Sequence, residues 1–216
     1  AELTQRCGGV VWLSGANRAA TAAAAPQQVV AQTGTRTVMI ARAGPDDVAP
    51  WADALAGGAY GAYAGIPVML SDSDRLSPET ASAIAAMGIT RTLVLGGKAA
   101  ISNATMAALP SPTRLDGEDR TATAVAVARI LWDPTASVSG VVLVNGYDST
   151  AWAYALVAAP LSARRHAPLL ITTPTMLPAN PRSYLEGTPG LSGGVIAGPA
   201  RLVDPEVGYA ASNLLR

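Results

Sequence analysis

A repeat of about 102 residues constrains this chain more than any other feature. Leu13-Ser14-Gly15-Ala16-Asn17-Arg18-Ala19-Ala20-Thr21-Ala22 returns as Leu115-Asp116-Gly117-Glu118-Asp119-Arg120-Thr121-Ala122-Thr123-Ala124, a shared L-x-G-x-[ND]-R-x-A-T-A pattern. Trp51-Ala52-Asp53-Ala54-Leu55 is matched by Trp152-Ala153-Tyr154-Ala155-Leu156, and Ile66-Pro67-Val68-Met69-Leu70-Ser71 by Ala167-Pro168-Leu169-Leu170-Ile171-Thr172. Val94-Leu95-Gly96-Gly97 then returns as Ile196-Ala197-Gly198-Pro199. Blocks that recur in one order at one spacing define two copies of a single unit. The 216 residues therefore divide into modules 1–112 and 113–216.

Each unit alternates helical and strand signals. Residues 36–43, 66–71 and 91–95 are short apolar runs that end in small or turn residues, the pattern of strands buried on both faces; 141–145, 169–173 and 195–197 repeat it. Asn17 and Asp119 are N-caps for Ala-rich helices expected to reach Val30 and Leu131. Ser77-Pro78 and Asp204-Pro205 place a cap before Pro at the first helical position, and Ser102 caps the helix that matches the Asp204 one. Strands alternating with helices predict right-handed βαβ units around parallel sheets, hence an α/β chain of two small three-layer modules, each complete in its own sequence.

Composition narrows the functional classes. Half the residues are apolar and 14% charged, so each module can bury a core. Fifteen basic residues balance 15 acidic ones, and the pI is near 6.8, which removes the basic surplus of a general nucleic-acid binder. Lys98 is the only lysine among those basic residues, and with the abundance of Ala this points to a GC-rich genome. Cys7 is alone, so no intrachain disulfide forms; a free thiol is the preferred reading and an intermolecular disulfide the alternative. The longest apolar run, 151–163, contains Pro160 and is too short to span a bilayer. The first residue is Ala1 rather than Met, so a mature chain with its signal peptide removed is expected.

The ordered blocks resemble the cell wall binding repeat 2 family, whose pattern runs R-x-x-G-x-D-R-[YF]-x-T-A, F-P-D-A-L-A, A-P-I-L-L-T and a strand ending in G-G. Arg114 to Ala124 follow the first part, Trp51 to Leu55 stand for the second with Asp53 as its acid, and Gly96-Gly97 supply the closing glycines. The resemblance implies Rossmann/Toprim-like parallel-sheet modules and a non-catalytic anchor, secreted and held on the cell wall by binding a secondary cell-wall polysaccharide. It also implies modules grouped in threes, with grooves between neighbours as the polymer site. Here there are two, and the copies differ: Trp12 stands where Arg114 does, Tyr154 replaces Asp53, and Pro199 replaces Gly97. The site residues expected on this basis are Arg18, Thr21, Trp51, Asp53, Gly96, Gly97, Arg114, Arg120, Thr123, Trp152 and Tyr154. An actinobacterial envelope would offer arabinogalactan or a teichoic-type polymer. A second copy of the chain, or a further domain of a larger envelope protein, is expected to cover the face that a third module would occupy.

Each of these residues also has a structural reading. Arg18 and Arg120 follow an N-cap, where the helix dipole disfavours a cation. They either fork onto phosphate or carboxylate of the polymer or, the preferred reading, tie their loop to the neighbouring module through an acid. Thr21 and Thr123 meet a sugar hydroxyl or bond back to their own helix. Asp53 binds a sugar hydroxyl or, preferred, pairs with Arg18. Gly96 and Gly97 permit a tight turn. Trp51, Trp152 and Tyr154 stack on sugar rings or, preferred, pack between modules. Asp46 and Asp47 read as turn residues.

Catalytic signatures are missing from the sequence. His166 is the only histidine and reads as exposed; no zinc cluster, G-x-S-x-G, P-loop or G-x-G-x-x-G is present, and Ser192-Gly193-Gly194 precedes a strand. No cofactor or metal is expected. Two alternatives stay open. One is a glycan-active enzyme, which needs paired carboxylates where Asp53 has no acidic counterpart in the repeat. The other is an α/β small-molecule or sugar binder, whose lobes usually exchange strands.

Overall fold

A computed structural model describes residues 10–44, 51–132 and 138–215; Cys7, Asp46 and Asp47 lie outside these. The first repeat contributes α1 (Arg18–Thr33), β1 (Thr37–Arg42), α2 (Trp51–Ala64), β2 (Val68–Ser71), α3 (Pro78–Ala86), β3 (Arg91–Leu95) and α4 (Asn103–Ala107). A strand β4 (Pro112–Leu115) then leads into α5 (Arg120–Leu131), β5 (Gly140–Asn145), α6 (Trp152–Arg165), β6 (Leu169–Thr172), α7 (Ala179–Gly187), β7 (Gly193–Ala197) and α8 (Pro205–Ser212). Two parallel sheets result, ordered β2-β1-β3-β4 and β6-β5-β7.

Each sheet is the middle of three layers. In the first, Val38, Ile40 and Val94 point into a cluster with Ala23 of α1, Ala83 and Ile84 of α3, and Leu109. Met39, Ala41, Leu93 and Leu95 point the other way, toward α2. Adjacent strand residues serve opposite faces, so the strands read as continuous apolar runs without alternation.

The repeats are not self-contained, which corrects the expectation that each is complete in sequence. β4, which carries Arg114 and Leu115 of the second repeat's opening motif, pairs parallel with β3 and closes the first sheet. Val127 of α5 joins the same cluster as Met39 and Leu95. Strand and helix of the second repeat thus finish the core of the first. The sequence signal for β4 is weak because Pro112-Thr113-Arg114 is polar, as suits an edge strand.

The modules also share a core. Ala52, Ala56 and Ala59 of α2 cluster with Ala124 and Ala128 of α5 and with Ala155, Ala158 and Ala159 of α6. Small side chains on facing positions let helices approach closely. Glycine does the same for α2 against its own sheet: a Cβ on Gly57 would run into the Leu95 methyls. At the far end of this interface Tyr63 stacks on Trp132 (centroids 5.3 Å apart) and on His166 (4.5 Å), and Tyr60 meets Trp132 edge-on at 5.4 Å. His166 is therefore a half-buried helix cap in the left-handed region (φ 50), not an exposed residue.

The caps divide. Asn17 and Asp119 each accept from the N–H three residues on, at 2.8 Å, Ser102 accepts from Thr105 N–H at 3.1 Å, and Asp204 accepts from Glu206 N–H at 2.9 Å. Ser77 makes no such bond to α3; its hydroxyl accepts from Asp72 N–H at 2.9 Å and pins the β2–α3 turn instead. α1 runs past Val30 to Thr33 and ends at Gly34, whose φ of 69 suits the left-handed C-cap. The second helix ends at Leu131 as expected.

Candidate functional site

The repeated motif is a local knot, and its geometry explains most of its letters. Gly15 and Gly117 lie so close to the following helix that a Cβ would meet backbone carbon of Ala20 or Ala122 at 2.6 Å. Their N–H groups donate to Thr21 Oγ1 (3.1 Å) and Thr123 Oγ1 (3.2 Å). The threonines thus bind the preceding loop, which corrects the reading that they bond back to their own helix. Arg18 donates to the carbonyls of Ala43 (2.8 Å) and Gly44, and Arg120 to that of Gly146, which occupies the same place in the second repeat. Each arginine therefore clamps the C-terminal end of its own module's first strand through carbonyl oxygens. For Arg18 this replaces the expected tie to a neighbouring module through an acid, whereas Arg120 does face an acid of the neighbouring module, Asp53. Arg120 also lies over the Tyr147 ring, 4.6 Å from its centroid, a cation–π contact that the repeat does not predict.

Arg120 reaches the module boundary as well. A groove of about 310 Å³ opens there, lined by Arg42 at the end of β1, Asp53 on α2, Gly97 after β3, and Asp119, Arg120 and Thr123 at the start of α5. The carboxyl ends of two parallel strands and the N-terminus of a helix from the next module converge on it, the usual location of ligands in open α/β sheets. Asp53 is its most perturbed group. Burial pushes its carboxyl up to about 6, against the pull of Arg120 and Arg42, while Asp119 adds to the rise. Its Oδ1 is buried without a hydrogen-bond partner, one of two such side-chain atoms among the described residues. The charges that face Asp53 are thus Arg120 and Arg42, not Arg18 as expected from sequence.

Asp53 has Tyr154 as its counterpart in the repeat, but two other carboxylates, Glu118 and Asp119, line the same groove. Asp119 is already engaged: Oδ1 accepts from Ala122 N–H at 2.8 Å and from the Thr121 hydroxyl at 2.6 Å. Among the described residues no cluster of His, Cys, Asp and Glu is arranged to hold a metal, and no helix is long and apolar enough to cross a membrane.

Of the residues singled out in the sequence, the groove gathers Asp53, Gly97, Arg120 and Thr123, with Gly96 directly behind Asp53. Arg114 stands on β4 and donates to the Gly96 carbonyl at 2.8 Å, holding the turn that shapes the groove. Arg18 lines a separate open groove of about 480 Å³ with Asn17, Asp72, Arg75 and Glu79, and Thr21 is exposed beside it. Trp51 and Tyr154 pack against the shared core, while Trp152 is half exposed. Arg42, Glu118 and Tyr147 escaped the sequence reading. Arg42 and Glu118 have no like residue in the other repeat, and Tyr147 is placed only by the loop after β5, where Asn145 accepts from Tyr147 N–H at 2.7 Å.

Together these features define a tandem α/β repeat protein whose units join through a shared core and enclose a charged groove at the join. The chain belongs to the cell wall binding domain 2 (CWB2) family, whose profile matches residues 13–106 and 114–207. It is 31% identical over 163 residues to N-acetylmuramoyl-L-alanine amidase LytC of Bacillus subtilis (strain 168), across 76% of this chain and 32% of that protein. It therefore spans about a third of the length of this curated relative. Among solved structures, Cwp6 from Clostridium difficile aligns with a TM-score of 0.79 at 19% identity, covering 94% of this chain and 31% of that one. Cwp8 from the same organism aligns with a TM-score of 0.67 at 21% identity, over 99% of this chain and 35% of that one.

Proposed function

We propose that this chain is a non-catalytic anchor that holds its protein on the cell wall by binding a secondary cell-wall polysaccharide in the groove between its modules. The observation that carries the reading is the convergence of Arg42, Arg120 and Asp53 on one open groove at the module join. Two guanidinium groups suit phosphate or carboxylate on a repeating polymer, and Asp53 offers an acceptor for a sugar hydroxyl. A teichoic-type polymer presents both phosphate and hydroxyl groups, and arabinogalactan the hydroxyls. Each contact is weak in an open groove, and affinity grows by engaging successive polymer units at linked sites. The groove that holds Arg18, lined by Asp72, Arg75 and Glu79 of its own module, is a second contact point.

Asp53 and Asp119 in one groove also fit the acid pair of a glycan hydrolase. The engagement of Asp119 by Ala122 and Thr121 favours binding over catalysis, because an N-cap carboxylate that moved would release the start of α5. Amidase activity is a property of the longer relative, and this chain corresponds to a wall-attachment part of a protein of that kind. The test is binding of the purified chain to wall polymer, with reducing-end release measured in parallel. Saturable binding that falls at least tenfold in Arg120→Ala, with no release of reducing ends, supports the reading. Release of ends that stops in Asp53→Asn replaces it with the enzyme.

A further inference from the structure

The first module's sheet has four strands and the second's has three among the described residues, and the difference is informative. The fourth strand, β4, is the opening segment of the second repeat, laid parallel on β3. The first repeat has the same opening segment, Val10-Val11-Trp12-Leu13, and it is exposed: Val11 is 69% accessible and Trp12 86%. The receiving edge is duplicated as well. β3 is buried from Thr92 to Leu95, whereas β7, its counterpart, is partly open along its whole length. A groove of about 280 Å³ runs beside β7, between Gly193–Ile196 and Gly208, Ala211 and Leu215 around α8.

The helical half of the interface is duplicated in the same sense. Trp51, Leu55 and Ala56 of α2 pack into the second module. Their counterparts on α6, Trp152, Leu156 and Val157, are 48%, 54% and 77% accessible. At the other end, Thr123 of α5 is buried at the module join while its counterpart Thr21 on α1 is exposed. One chain thus carries both halves of an interface it has already made once: a donor strand and helix end on the first module, and a receiving edge and apolar helix face on the second.

We infer that a second copy of this chain docks head to tail, its Val10–Leu13 segment adding as a parallel fourth strand to β7 and its first module covering Trp152, Leu156 and Val157. The register follows from β3 and β4, where Leu93 faces Thr113, Val94 faces Arg114 and Leu95 faces Leu115. Carried through the repeat, Val11 lies beside Val195, Trp12 beside Ile196 and Leu13 beside Ala197. Strand addition to an open edge supplies backbone hydrogen bonds, and the covered aromatic and aliphatic groups supply the apolar area. The contact is heterologous, so it grows into a ring or a short filament according to whether the rotation closes.

Light scattering of the purified chain over a concentration series tests this, beside Val11→Pro, which removes a strand N–H at an exposed position and leaves both modules intact. The expected result is a weight-average mass that climbs to at least twice the 21.8 kDa of one chain, and a return to one chain mass in Val11→Pro and in Val157→Glu. In a Cys7→Ser background, Leu13→Cys with Ala197→Cys forms an intermolecular disulfide, since neighbouring parallel strands bring Cα atoms within bonding range. A chain that stays at one mass throughout, as when only a further module of the same protein fills that edge, overturns the inference. So does an oligomer that Val11→Pro leaves unchanged.

Discussion

The carboxylate of Asp53 occupies the space that a β-carbon on Gly96 would need. Gly96 sits at φ +94, in the left-handed region that suits glycine, and its carbonyl accepts from Arg114 at 2.8 Å. The turn after β3 is thus held by the second repeat's strand and left bare so that an acid from α2 can lie against it. A tight turn, a strand crossing from the next repeat and a perturbed acid belong to one arrangement.

Gly96→Ala is expected to destabilise the fold by about 2–3 kcal/mol, from backbone strain and from contact with Asp53 and with Ala100 Cβ at 2.9 Å. In Asp53→Ala the contact with the carboxylate disappears while the strain and the Ala100 contact remain, so the double variant falls short of the sum of the two singles. Urea unfolding of the four proteins measures this. Full additivity would mean that the two residues do not share the space.

Asp53 gives stability a particular dependence on pH. Its folded pKa, about 6, lies above the ordinary 3.8, so the folded state holds the proton more tightly between those values. Stability contributed by the group is therefore present below pH 4, is lost as pH rises to 6, and leaves a standing penalty above that. Asp53→Asn has no such slope and gains on the wild type by roughly 2–3 kcal/mol between pH 4 and pH 7. Thermal unfolding at closely spaced pH values reads it; parallel curves for the two proteins would place the titration elsewhere. An acid that costs stability at neutral pH and is kept in an open groove fits a binding role, and the same variant is expected to weaken polymer binding above pH 6.

Gly117→Ala forces a β-carbon against backbone of Ala122 and is expected to cost about 1–3 kcal/mol. Because Asp119 and Arg120 begin the same helix turn, it also distorts the groove. Gly15→Ala makes the same local clash beside an exposed helix end, so its destabilisation is similar while binding at the module join is unaffected. Polymer binding by the two variants, each compared at a temperature where it is folded, separates the two effects.

The arginines are expected to part company. Arg120 joins the Gly146 carbonyl, the Tyr147 ring and the groove, whereas Arg18 holds strand-end carbonyls in an exposed setting. Arg120→Lys keeps a charge but loses the planar contact with Tyr147, and is expected to reduce binding by about tenfold, a loss near 1.4 kcal/mol. Arg18→Lys is expected to change it by less than threefold. Isothermal titration with fragments of wall polymer measures both, and an equal loss in the two variants would place the contact away from the module join.

Much of the architecture was legible because the chain states it twice. The strands at 91–95 and 169–172, the caps at Asn17 and Asp119, and the Gly96 turn all follow from local chemistry that recurs at one spacing. What escaped depends on contacts between repeats. β4 is too polar and short to announce itself, and its partner is chosen by the open edge of β3. The same holds for His166, whose stacking on Tyr63 depends on where α2 and α6 meet, and for Ser77, whose hydroxyl finds Asp72 before the helix it precedes. At the site, the motif named Arg120 and Asp53, but their meeting across the module join, with Arg42 and Asp119, is a product of the shared core.

The most direct test of the account is co-sedimentation of the chain with purified cell-wall sacculi before and after chemical removal of the secondary polymer. Wild type is expected to pellet with intact walls and to stay in solution with stripped ones, and folded Arg120→Ala is expected to stay in solution with both. Failure to pellet with intact walls, or equal pelleting with stripped ones, would contradict the claim that the groove between the modules holds that polymer.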